Sequence, residues 1–264
     1  MTAEITSAQD AIANWTSPLG LPNYEKFDGP DLEKTFEQAL PLHLSEIDKI
    51  AKNSDSATFE NTIVALELAG QLLDHVSAIF WNLTGSHTND FLQSLERKMA
   101  PEMSVHYSKV MMNQTLFARV NELYEKRETL SLDSEAMRVL EKAWKSFVRS
   151  GANLSQKDQE KLAKTNQRLA ELGTSFAQNM LADERDYVLI LNEPEELAGL
   201  PEFLIAAMAS AAEERDHKGK HAVTLSRSII EPFLTFSDRR DLREKAFIAW
   251  VLVARKKAST TTAR

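Results

Sequence analysis

The stretch Ser146–Asp183 reads SFVRSGANLSQKDQEKLAKTNQRLAELGTSFAQNMLAD and joins two helical patterns through a short punctuated link. Gly151 is expected to close the first helix, because glycine takes the left-handed C′ position without a Cβ clash. Ser155 is expected to open the second, its hydroxyl accepting from a free backbone N–H, and Asp158 adds negative charge at the positive end of the helix dipole. Leu162, Thr165, Asn166, Leu169, Leu172, Gly173, Phe176 and Met180 recur at three- and four-residue steps, which predicts one buried stripe. Lys157, Lys161, Lys164, Arg168 and Glu171 fall largely on the other side.

Outward from this stretch, helical periodicity dominates. A short helix is expected around Ala8–Trp15, followed by a turn-rich arm through Ser17-Pro18-Leu19-Gly20-Leu21-Pro22. Leu32, Phe36, Leu40, Leu44, Ile47 and Ile50 predict helix over Asp31–Lys52, with Pro41 as a kink or break. Thr58 caps a further helix whose apolar face runs Ile63, Leu66, Ala69, Gly70, Leu73, Val76 and Phe80; Gly70 leaves room for a close neighbour. After a break at His87-Thr88-Asn89, helix resumes through Phe91, Leu95 and Met99, is interrupted at Pro101, and continues from Val105 to Tyr124. Asp133 and Ser134 precede a helix facing inward with Met137, Leu140, Trp144 and Phe147. Beyond Asp183 the character changes: Tyr187–Leu191 and His221–Leu225 read as two strands of an antiparallel ribbon, with helix over Ala198–Arg215 between them. A final helix is expected over Ser237–Ala254, capped by Ser237 or Asp238, with Leu242, Phe247 and Trp250 buried. The fold class expected is therefore mainly α, a multi-helix lobe with a small antiparallel β ribbon.

The run Phe147-Val148-Arg149-x-Gly151-Ala152-x-Leu154, with Asn166-Gln167-Arg168-Leu169-Ala170-x-Leu172-Gly173-Thr174-x-Phe176-x-Gln178-Asn179-x-Leu181-Ala182-Asp183, resembles the thimet-oligopeptidase and peptidyl-dipeptidase family of zinc metallopeptidases, the bacterial peptidyl-dipeptidase branch in particular. Thr58-Phe59-Glu60-Asn61-Thr62-Ile63-x-Ala65-Leu66-Glu67, Asn82-Leu83-x-Gly85-x-His87-Thr88-Asn89 and Leu197-Ala198-Gly199-Leu200-Pro201 point the same way. What they resemble is the N-terminal part of that family, in which two helical lobes enclose a channel for short peptides. The resemblance implies a helix pair over Asp31–Lys52. It also implies an organisation of an N-terminal arm over 1–30, a helical lobe over 31–185, a β ribbon with helices of the same lobe over 186–255, and a tail over 256–264. The family continues past Trp250 with an acidic stretch ending near Asp-Asn-Arg. One coding of Lys256–Ala263, shifted by a base, yields such a stretch, so the tail is expected to be out of frame, left by a frameshift that truncates the chain before the catalytic domain.

Composition bounds the function. The 264 residues are 43% hydrophobic, enough for a sizeable core. A formal net charge of −8, with Lys and Arg interspersed among acids, argues against nucleic acid or an anionic membrane as partner. The chain has no cysteine, which excludes disulfides, thiolate zinc sites and a cysteine nucleophile and fits a cytoplasmic protein. No signal peptide or apolar run of membrane-spanning length is read from the N-terminus onward.

Zinc in the full-length family is held by His-Glu-x-x-His, two imidazoles one turn apart and a glutamate that activates water. None of the six histidines, His43, His75, His87, His106, His217 and His221, is followed by Glu. No catalytic, cofactor-binding or metal residue is therefore assigned on this chain, and no cofactor is expected in it. His217 and His221 have ligand-like i,i+4 spacing, but Lys218-Gly219-Lys220 between them suits a solvated loop. His87 is read as a capping or buried hydrogen-bonding residue and Arg149 as a structural ion-pair donor rather than a substrate clamp. The glycine-rich phosphate loops and the G-x-S-x-G elbow are absent. The resemblance implies a substrate-channel lobe acting on short peptides only with its catalytic domain, and inactive alone. The alternative is a non-catalytic binding or assembly module, pairing with a separate catalytic half or with itself through an exposed apolar face.

Overall fold

A computed structural model describes residues 7–15 and 18–253. The 256–264 tail and its frameshift reading lie outside the described residues, as do parts of the 1–30 arm. The described chain is mainly helical with one two-stranded antiparallel sheet, as expected. It divides into two compact units at Thr174/Ser175.

In the first unit, α1 (Ser7–Ala13) precedes α2 (Gly29–Ala51). Asp28 and Asp31 form a reciprocal capping box at the start of α2, and Pro30 sits in its first turn, where a missing N–H costs nothing. Pro41 does not break α2, and the helix pair expected here is one helix. The lost backbone bond is offset because Phe36, Ala39, His43 and Ile47 on both sides of Pro41 are buried, so tertiary packing holds the helix through the proline.

The segment expected as one helix from Phe59 to Phe80 is instead broken. A π-helical turn over Phe59–Val64, capped by Thr58, leads into α3 (Ala65–Leu68), and α4 (Gln71–Ser86) starts afresh after Gly70. Gly70 is left-handed at φ 83°, and a Cβ there would stand 3.1 Å from the His43 ring. Its N–H donates to Glu46 Oε2 at 2.7 Å. The close approach anticipated at Gly70 is thus the His43 ring, and the same geometry stops the helix. By composition Phe59–Ser86 is long and apolar enough to cross a membrane, contrary to the expectation, but α4 supplies Leu73, Val76, Ile79 and Phe80 to the core.

The next two helices are also divided elsewhere than the sequence suggests. α5 (Asp90–Met111) runs straight through Pro101, and the break falls at Met112-Asn113 before α6 (Gln114–Glu125). Asn89 caps α5 through Leu92 N–H, and Asn113 caps α6 through Leu116 N–H. A side chain that satisfies free N–H groups starts a new helix more effectively than a proline ends an old one that is packed on both sides. α7 (Ser134–Arg149) follows, capped by Asp133. One core gathers α1, α2, α4 and α5 around Phe36 and Phe80, whose rings meet edge-on at 5.4 Å. A second gathers the C-terminal turns of α2 with α6 and α7 around Ile47, Leu116, Leu140 and Phe147.

Gly151 closes α7 as expected: it is left-handed at φ 96°, its N–H reaches Val148 O at 3.1 Å, and Ala152 N–H reaches Phe147 O at 3.0 Å. These two bonds make a Schellman motif, with Ala152 buried beside the helix end. Ser155 then accepts from Asp158 N–H at 3.3 Å to open α8 (Gln156–Asp186).

The second unit holds β1 (Leu189–Leu191), α9 (Glu202–Glu213), β2 (His221–Val223), α10 (Arg227–Phe236) and α11 (Arg240–Val251). The ribbon pairs Leu189 with Val223, Ile190 with Ala222 and Leu191 with His221. α10 forms where the sequence analysis assigned no element; its Ile229, Ile230 and Phe233 pack into a core with Leu204, Met208 and Val223, and the helix runs on through Pro232. Gly199 is left-handed, and a Cβ there would lie 2.5 Å from Phe236 O. α11 begins at Arg240 rather than at the expected Ser237 or Asp238, because Ser237 instead accepts from Arg239 N–H. Leu242 is buried as expected; Phe247 is exposed, and Ala246 takes the inward position one residue before it.

Candidate functional site

The residues singled out in the sequence do not converge. His217 lies in the turn after α9, where its N–H reaches back to Ala212 O at 2.8 Å and Asp216 and Gly219 are left-handed. His221 opens β2. Among the described residues no group of three His, Asp or Glu side chains could hold a metal ion, so the donor set does not fit a zinc centre. His87 caps the end of α4 through its backbone N–H to Leu83 O, but its side chain is exposed and has no buried role. Arg149, expected to donate an ion pair, forms none with a described residue; it stands exposed at the end of α7.

The structure does join two histidines that the sequence keeps 63 positions apart. His43 Nδ1 and His106 Nε2 lie 2.9 Å apart, both buried, so one ring donates and the other accepts. Burial pushes both below the usual imidazole range. His106 falls to about 4, with His43 and Lys109 adding to the effect. His43 falls less far because the Glu46 and Asp74 carboxylates oppose burial. A neutral hydrogen-bonded pair is therefore the stable form at neutral pH. One signal could have found it: His43 sits on the apolar stripe of α2 between Ala39 and Ile47.

Cavities open on both sides of this pair. A groove of about 510 Å³ is lined by Pro41, Pro101, His106 and Lys109, and a hollow of about 440 Å³ by His43, Asp74, Tyr107 and Phe147. A third, of about 340 Å³, lies where α5, the end of α7 and the first turns of α8 meet. It draws Arg149 and Asn166, both singled out by the sequence, together with Ser104, Ser108 and Ser150.

The long helix α8 overturns the principal expectation. Of its described side chains only Thr174 is fully buried. In the first unit its half-buried positions are Gln159, Leu162, Ala163, Asn166, Gln167, Ala170 and Glu171, while Leu169 is 61% exposed and Leu172 48%. On the part of the helix belonging to the second unit Phe176 is 57% exposed. At about 100° per residue, the leucine side is turned roughly a third of a turn from the side that packs. Lys157, Lys161, Lys164 and Arg168 border Leu169 along one shallow hollow.

No protein-family model matches the chain. Dipeptidyl carboxypeptidase of Escherichia coli (strain K12) is 34% identical over 260 residues, 98% of this chain and 38% of that protein. Oligopeptidase A of the same organism is 22% identical over 89% of this chain and 34% of its own length. Saccharolysin of Saccharomyces cerevisiae is 22% identical over 45% of this chain and 16% of its own length. The chain thus spans little more than a third of the length of these dipeptidyl carboxypeptidase relatives. Over nearly its whole length the chain is homologous to the dipeptidyl carboxypeptidases and oligopeptidases A of the thimet oligopeptidase family.

Proposed function

We propose that this chain is a non-catalytic, substrate-enclosing lobe of a cytoplasmic peptidyl-dipeptidase or oligopeptidase, forming one wall of a channel for short peptides. The observation that carries this reading is the match to dipeptidyl carboxypeptidase along 98% of the chain but 38% of the relative. Among the described residues no group of side chains offers a zinc centre, and enclosure without a metal-activated water leaves the barrier to amide cleavage nearly untouched. Hydrolysis of a quenched fluorescent peptide by the purified chain, with zinc and with chelator, tests it. No cleavage by a chain that melts cooperatively is the expected result; cleavage that follows zinc would overturn it.

The exposed apolar residues of α8 favour a second, compatible reading, an assembly module that pairs with a catalytic half or with itself. Leu169 and Leu172 lie outward while Ala163 and Gln167 face the packed side, an inversion that makes sense when a further surface covers the leucines. Light scattering over a concentration series tests self-association. A mass that rises with concentration, and that Leu172→Lys returns to monomer, supports it; a strictly monomeric chain at all concentrations counts against self-pairing.

A further inference from the structure

The cavity where α5, α7 and α8 meet has an unusual lining. Arg149, Ser104, Ser108, Ser150 and Asn166 all border it, and no acidic side chain does. Among the described residues none of these five side chains has a hydrogen-bond or ion-pair partner. Ser108 is nine-tenths buried as a residue, and its hydroxyl is not among the enclosed unbonded atoms, so what remains accessible of it opens into this hollow. Arg149, exposed at the end of α7, is the one charged side chain on this lining.

Donors dominate this set. A guanidinium can only donate, each hydroxyl can donate once, and the Asn166 amide can donate twice. Five unpaired donor-bearing groups around one hollow define a site for an acceptor, and the fixed fork of Arg149 matches the two oxygens of a carboxylate. The remaining walls include Met111, Met112 and Leu162, which offer apolar contact. With one cation and an apolar floor, the lining suits a monoanion on an apolar body better than a doubly charged phosphate, whose desolvation a single guanidinium compensates poorly.

We propose that this cavity is a binding site for a carboxylate carried on a small apolar body, either the C-terminus of a short peptide or a free acyl amino acid, with Arg149 as its clamp and Ser108 and Asn166 completing the acceptor's hydrogen bonds. The sequence brings Arg149 and Asn166 to this place by a local device. Gly151 reverses the chain between α7 and α8, and Leu162 closes over it; a Cβ at Gly151 would stand 2.8 Å from Leu162 Cδ2. Occupation of the cavity is independent of whether the outer face of α8 is covered and of whether the chain belongs to a working peptidase.

Amide chemical-shift titration of the full chain tests the site with four probes: N-acetylleucine, its neutral isostere N-acetylleucinamide, leucyl-leucine and inorganic phosphate. Saturable shifts at Ser108, Arg149 and Asn166 with N-acetylleucine are expected, with the amide weaker by about tenfold or more because the charge-assisted bonds are lost. Arg149→Gln, an exposed substitution that leaves the core intact, is expected to erase the difference between acid and amide, and Arg149→Lys to restore part of it. Leucyl-leucine tighter than N-acetylleucine identifies a peptide C-terminus; the reverse order identifies an acyl amino acid. Equal binding of acid and amide, no shifts from either at millimolar concentration, or phosphate binding tighter than both carboxylates would overturn the proposal.

Discussion

α2 and α8 carry similar apolar repeats over 23 and 31 residues, and the molecule treats them in opposite ways. α2 buries Leu32, Phe36, Ala39, His43, Ile47 and Ile50, so each turn has a neighbour on its apolar side. α8 buries Thr174 and turns Leu169, Leu172 and Phe176 to solvent. An amphipathic repeat shows that a helix has a face to cover. It does not show that the covering surface lies in the same unit.

The sharpest way to break this comparison is to truncate one residue on each helix. Phe36→Ala is expected to cost about 3–5 kcal/mol, since it opens a cavity against Phe80 in the first core. Leu169→Ala is expected to cost less than about 0.5 kcal/mol, the range of substitutions on an open surface. Urea denaturation of both variants checks this; similar losses would mean that the α8 face is already covered in solution.

Acid should loosen α2 and spare α8. The folded His43–His106 pair holds both rings neutral, whereas unfolded imidazoles titrate near 6.5. Folded values below the unfolded one mean that the unfolded chain binds more protons between them, so stability rises with pH in that window. The contribution is complete above 6.5 and is lost as pH falls through about 4, with His106 alone accounting for on the order of 3 kcal/mol and His43 acting in the same direction. Urea midpoints from pH 7 to pH 4 should show this slope, and the double substitution His43→Gln with His106→Gln should flatten it.

Two smaller effects probe how α8 is set in place. Gly151→Ala forces a Cβ into the left-handed region and against Leu162, for an expected loss of about 1–2 kcal/mol in thermal or urea unfolding. Ser155→Ala removes the hydroxyl that receives Asp158 N–H and should cost about 0.5–1 kcal/mol. A loss at Ser155 larger than at Gly151 would show that the cap, rather than the reversal at α7, seats the helix.

Particular residues show where sequence reading stops. Thr58, Ser155 and Gly151 act on groups within a few positions of themselves, and each was found where its pattern placed it. Pro41, read as a kink or break, and Pro101, read as an interruption, both lie inside unbroken helices, because the local cost of a proline is real but packing on both sides outweighs it. α10 was given no reading, and it is held by the packing of Ile229 and Ile230 into the core of the second unit. Of the cavity beside Arg149, the sequence marked Arg149 and Asn166 but gave no sign of Ser104, Ser108 or Ser150.

By itself, then, the sequence determined the helical class, the ribbon, most caps and the kinship with dipeptidyl carboxypeptidases, because these rest on hydrogen bonds and side-chain periodicities within a few turns of chain. Only the tertiary structure decided which side of α8 packs, that His43 meets His106, and that Arg149 stands unpaired among serines. Those outcomes follow from which surfaces meet across long stretches of chain, and burial, unlike a cap, has no local signature.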